Sequence, residues 1–108
     1  MDRAKIAAIA KASGLPFVYA SWKPDKQPPM PYVAYRYSYS NDLCADGINY
    51  MPIENWQIEL YAEAKDEMHE KLLEAAINEA GWCFEKREYG FDDPYQYLQT
   101  IYLIKTIG

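Results

Sequence analysis

The sequence predicts an α+β domain, with two helices set against an antiparallel or mixed sheet of four to five strands in the order α-β-β-β-α-β-β. Three observations predict it. "NYMPIENWQIELYAE", residues 49–63, sends Trp56, Ile58, Leu60 and Ala62 to one side and Gln57, Glu59 and Tyr61 to the other. That is the pattern of a half-buried strand, whose successive side chains point to opposite faces. "KDEMHEKLLEAAINEAG", residues 65–81, repeats its apolar residues at helical spacing instead. Finally, several strand-like runs follow one another between the two helical segments, so helices and sheet are segregated along the chain.

Taken in order, residues 2–13 read as a short helix. Asp2 can cap it, five alanines favour it, and Ile6, Ile9 and Ala10 make one apolar stripe. Gly14 is placed as its C-terminal stop, and Leu15 and Pro16 lead the chain away. "PFVYASW", residues 16–22, has the β-branched and aromatic content of a strand. "KPDKQPPMP", residues 23–31, holds four prolines in nine residues and reads as an exposed, semi-rigid loop.

Strand character resumes over residues 32–40. Val33, Tyr35, Tyr37 and Tyr39 share one face, and Tyr32, Ala34, Arg36 and Ser38 the other. These residues are expected to pair with residues 54–62 as a long hairpin. Residues 41–52 then form a large exposed connection, with Asp46 and Gly47 as a turn between two strand-like runs. In the second helix Met68, Leu72, Leu73, Ala76, Ile77 and Ala80 are the expected buried face. Glu70, Lys71, Glu74 and Asn78 are the expected wet one. Asp66 and Glu67 suit its N-terminus and Gly81 its end. Met68, Leu72, Ala76 and Ile77 should meet Trp56, Ile58 and Leu60. Residues 82–89 and 95–107 read as a closing hairpin around "GFDDP", where Asp92 and Asp93 initiate the turn before Pro94.

At 108 residues the chain fits one domain, residues 1–108, with one core. Half of it is hydrophobic and a quarter charged, which is ordinary for a folded chain. The net charge of −5 disfavours a nucleic-acid grip, which needs clustered Lys and Arg. No apolar run approaches the ~20 residues of a membrane span, and "MDRAKIAAIAKASG" is not a signal peptide. Neither a membrane nor specific nucleic-acid binding is therefore expected. Cys44 and Cys83 lack CxxC spacing and read as two reduced thiols.

Residues with catalytic potential are few. His69, the sole histidine, stands with Asp66 and Glu70 on one helical flank. An i, i+3 pair could supply two metal ligands, but no second matching pair exists, so the flank reads as solvated charge. Cys44, Asp46 and His69 have the residue types of a thiol nucleophile, an orienter and a base, without a motif around the cysteine. The five glycines are isolated and form no phosphate loop. The expectation is a protein that is not an enzyme, with no catalytic residue, metal or cofactor.

Tyrosine, by contrast, is in excess, with 11 in the chain. Two short helices cannot cover all of the sheet's aromatic side chains. Aromatic surplus with few charges is a mark of protein contact surfaces. The candidate interface residues are Tyr35, Tyr37, Tyr39, Tyr61, Tyr95 and Tyr97.

The order "GLPFVY", "PYVAYRYSYSND", "ADGINYMP", "WQIELYAEAKDE" and "YQYLQTIYL", running from about Gly14 to Ile107, resembles the small tail-completion proteins of tailed bacteriophages and prophages. These include tail terminators and head–tail joining components. The resemblance implies an α+β fold and a homo-oligomeric ring, typically a hexamer, at the head-proximal end of the tail. It implies tail-tube and head-completion proteins as partners. The expected location is the virion tail or neck, with the bacterial cytoplasm as the place of assembly. The chain's compactness leaves little room for projecting arms. The alternative is a small non-catalytic protein-binding module encoded by a prophage or host.

Overall fold

The computed structural model describes residues 2–107, apart from 24, 41–42, 46–47, 52 and 93–95. Its elements are α1 (Asp2–Ala12), β1 (Phe17–Tyr19), β2 (Tyr32–Ser40), β3 (Leu43–Ala45), β4 (Ile48–Met51), β5 (Ile53–Ala62), α2 (Glu67–Glu79), β6 (Phe84–Phe91) and β7 (Tyr97–Ile107). Five strands form one sheet in the order β1-β2-β5-β7-β6. β1 lies parallel to β2 and every other pairing is antiparallel, so the sheet is mixed. The class, the two helices and the strand count are those the sequence predicts.

The long hairpin is also as expected. β2 pairs with β5 from Tyr32 opposite Tyr61 to Ser40 opposite Glu54, with a bulge between Tyr37 and Tyr39. Within the connection, the two strand-like runs expected on either side of residues 46–47 pair with each other, β3 with β4, as a separate two-stranded ladder. This ladder lies between the end of β2 and the start of β5 along the chain. Asp46 and Gly47, the expected turn, lie outside the described residues.

Both helix ends obey their glycines. Gly14 takes φ +78 and Gly81 φ +84, the left-handed conformation that only glycine adopts without a steric penalty. After α2, the Trp82 N–H reaches the Ile77 carbonyl (3.3 Å) and the Gly81 N–H the Asn78 carbonyl (3.0 Å), the paired bonds of a Schellman ending. At the other end of α2, the Asp66 carboxylate accepts from the His69 backbone N–H (3.2 Å) and lies 2.6 Å from its ring Nδ1. Asp66 is therefore the N-cap, and the sole imidazole is tied to it.

Both helices lie on one side of the sheet. Ile6, Ile9 and Ala10 of α1 and Leu73 and Ile77 of α2 close over Val33, Tyr35, Trp56, Ile58, Leu60, Tyr102 and Ile104. Here one expectation fails. Met68 is 65% exposed and Leu72 43%, while Leu73 is fully buried. The face of α2 that enters the core is Glu70, Leu73 and Ile77.

The reason is electrostatic. Glu70 is only 3% exposed, and its carboxylate is held by Lys86 Nζ (2.6 Å) and Lys65 Nζ (3.1 Å). Lys86 also meets Glu74 (2.8 Å), and the Tyr102 hydroxyl donates to Glu74 (2.8 Å). A buried carboxylate needs such partners, and here they fasten α2 to β6 and β7. Hydrophobicity alone assigns Glu70 to water and turns the helix the wrong way.

Candidate functional site

The strand register sorts the tyrosines onto two faces. Tyr35 and Tyr37 belong to the helix side. Tyr35 is 8% exposed, with Tyr19 edge-on at 5.3 Å and Phe17 at 6.5 Å. Tyr37 stands edge-on to Trp56 at 5.3 Å and keeps part of its ring in solvent. Tyr61 and Tyr97 occupy the opposite face. The six candidates therefore do not form one patch. Backbone pairing sets Tyr39 opposite Asn55 beyond the bulge; its side chain, and the whole of Tyr95, lie outside the described residues.

On the face away from the helices, ring contacts run from the β1–β2 connection across four strands. Trp22 meets Tyr32 edge-on at 6.3 Å. Tyr32 stacks on Tyr61 at 5.1 Å, Tyr61 tilts against Tyr97 at 6.3 Å, and Tyr97 stacks on Phe91 at 4.9 Å. Pairing explains the row: Tyr32 is opposite Tyr61, and Phe91 opposite Tyr97. Phe91 and the nearby Tyr89 carry it to the exposed β6 edge. Sequence reasoning missed Trp22, Tyr32 and Phe91. The signal was present in the predicted hairpin, since shifting its pairing by one residue sets Tyr32 across from Tyr61.

A polar network lies beneath the row. Tyr61 Oη donates to Glu59 Oε1 (2.9 Å) and accepts from Gln99 Nε2 (3.0 Å). Arg36 Nη2 reaches Glu59 at 3.5 Å and donates to the Ala20 carbonyl (2.9 Å). Ala20 takes φ +69, and its own N–H is anchored on the Tyr35 carbonyl (2.7 Å). Arg36 thus ties the start of the proline-rich loop to the sheet. Burial, followed by the Glu59 charge and hydrogen bond, pushes the Tyr61 phenol well above its ordinary value. Tyr61 is a neutral hydrogen-bonding group with one ring face committed to stacking.

Beyond the aromatic row the same face continues into a polar cleft of about 540 Å³, whose lining includes Gln57, Glu85, Arg87, Leu103 and Lys105. The face carries aromatic rings at one end and mixed charge at the other.

Those of the residues considered for chemistry that are described serve structural contacts. His69 is engaged by Asp66 in the α2 cap, and Glu70 is bound by two lysines rather than solvated. Among the described residues no group of three or more His, Cys, Asp or Glu could hold a metal ion. Cys83 is a free, exposed thiol; the side chains of Cys44 and Asp46 lie outside the described residues, as does Asp93 of the predicted Asp92–Asp93 turn. Among the described residues, no helix is long and apolar enough to cross a membrane.

Fold and site together define a small α+β domain with helices on one side of its sheet and an ordered aromatic row on the other. No protein-family model matches the chain, and no curated protein matches it.

Proposed function

We propose that this protein is a non-catalytic structural component of a phage or prophage tail or neck. In this reading it self-associates into a ring that terminates the tail tube and docks to the head. The observation that carries the proposal is the aromatic row Trp22–Tyr32–Tyr61–Tyr97–Phe91 on the sheet face away from the helices. Tyr32 is buried, and the rings of the row that reach solvent, Trp22, Tyr61, Tyr97 and Phe91, offer contact area at little further entropic cost because they are already ordered. The acidic balance of −5 suits a component beside a DNA passage, where a basic lining would hold the phosphates. The order of strand and turn segments supplies the phage context.

Phe91→Ser combined with Tyr97→Ser tests the proposal. Both lie at the outer end of the row, so the monomer should keep its far-ultraviolet circular dichroism and cooperative melt. Ring formation by native mass spectrometry, and tail completion in a complementation assay, should fail. Unimpaired rings would place the interface elsewhere. A chain that remains monomeric alone and with tail-tube protein would favour a docking module instead.

A further inference from the structure

The outward pole of α2 carries Met68, Leu72 and Ala75, and no core contact accounts for these three. At about 100° per residue, Met68, Leu72, Ala75 and Glu79 form one stripe, directly opposite the buried Glu70, Leu73 and Ile77. All four of these outward residues are exposed. A helix that only packs on its sheet carries polar residues there. Beside the C-terminal half of the stripe, α1 and α2 flank an open groove of about 400 Å³ lined by Ala8, Ala12, Ala76 and Ala80 together with Ile9, Lys5 and Glu79. Long apolar side chains thus occupy the first half of the helix, and a small-residue groove flanks the second.

We propose that α2 docks on α2 of a second copy, antiparallel about a two-fold axis near residue 74. A two-fold perpendicular to the helix sets the N-terminal half of each copy against the C-terminal half of the other. Leu72 leans toward the groove side of its helix, and the axis keeps that side common to both copies. Leu72 therefore enters the groove beside Ala76 of the partner subunit, and Met68 follows beside Ala80 of the partner subunit. The contact is isologous, so each knob is used twice.

The charge on this surface is self-complementary in the antiparallel sense. Lys71 and Glu79 are both exposed on α2 and lie in opposite halves of it. Antiparallel docking brings each Lys71 within reach of Glu79 of the partner subunit, whereas parallel docking sets like charge against like. One helix pair buries less than the ~1,200 Å² of standard stable interfaces, so the dimer is weak and concentration-dependent. This contact is independent of the proposed ring face, which lies on the other side of the sheet.

Sedimentation equilibrium of the full chain provides the test. The wild-type mass should rise toward twice its starting value as concentration increases. Met68→Glu with Leu72→Glu should weaken that association at least ~tenfold, the scale of one lost hot-spot contact. Both positions are exposed, so the fold is kept, as circular dichroism will verify. Lys71→Glu and Glu79→Lys should each weaken it, and the two together should restore it. Phe91→Ser with Tyr97→Ser should leave this step intact while removing the ring. No mass increase in the wild type, an unaltered mass in the Met68/Leu72 variant, or no recovery in the charge-swapped pair would each overturn the proposal.

Discussion

Adjacent leucines in α2 show how finely burial is decided. Leu73 is fully buried against the sheet, whereas Leu72 faces outward. Leu73→Ala should cost ~2–5 kcal/mol through the cavity it leaves, and Leu72→Ala less than about 1 kcal/mol. Urea titration of both variants measures the difference, and equal losses would mean that α2 is rotated from its described phase. Titration behaviour is set at the same scale. Burial, then hydrogen bonding to Glu74, pushes the Tyr102 phenol far above its usual value, as burial and Glu59 do for Tyr61. Desolvation works against the charged Lys86, yet bonds to Glu70 and Glu74 leave its pKa raised. Raised values favour the folded state below the unfolded pKa, and that stability is lost as pH rises. Unfolding should therefore begin above pH 10, the ordinary value of tyrosine. Absorbance at 295 nm should show Tyr61 and Tyr102 ionising only with that transition; full titration of all 11 tyrosines in the folded protein would contradict this. On the acid side, desolvation opposes the Glu74 carboxylate, but bonds from Lys86 and Tyr102 hold its pKa below 4.5. Its contribution is present above pH 4.5 and fades as pH falls through the lowered value.

At the scale of elements, the chain's punctuation and the alternation within each strand were legible, whereas the rotation of α2 and the joining of faces across strands were not. Gly14, Gly81 and Asp66 each act through local backbone geometry, which a few neighbouring residues determine, and each stands where the sequence sets it. A Cβ on Gly81 would meet nothing within 4 Å, so the effect of Gly81→Ala isolates the backbone conformation. That variant should lose ~1–2 kcal/mol, the cost of a left-handed non-glycine residue. Asp66→Ala should lose ~0.5–2 kcal/mol with the N-cap. Thermal melts will read both, and a neutral Gly81→Ala would mean that the Schellman ending is not maintained in solution. Facing depends instead on partners distant in sequence. The α2 stripe turned because Lys65 and Lys86 neutralise Glu70, and Lys86 lies on a strand well beyond the helix. The tyrosines divided between faces because Tyr35 and Tyr61 have opposite parity once Tyr32 pairs with Tyr61. Alternation along one strand says which residues share a face, but the neighbouring strand's register decides which residues across the sheet join them.

The whole molecule is elongated, 51 Å by 27 Å by 23 Å, and strands of ten and eleven residues form its centre. β5 and β7 are paired on both sides, whereas β6 and β1 are edges. Edge strands invite association unless something blunts them, and β6 carries Glu85, Lys86, Arg87 and Glu88 in succession. These charges discourage open-ended strand addition, which is consistent with the proposed docking through the aromatic face. Amide exchange should reflect that division. In the free protein the slowest amides should belong to β5 and β7, whose ladders open only with the sheet. The outward-pointing amides of β6 should exchange quickly. Assembly through the aromatic row should slow exchange around Phe91 and Tyr97, where one copy covers another, and leave the central strands almost unchanged because they are already protected. Assembly by strand addition would instead protect alternate residues along the whole of β6. Exchange measured before and after ring formation separates the two patterns, and protection of every second amide from Phe84 to Phe91 would replace face-on docking with edge-on pairing.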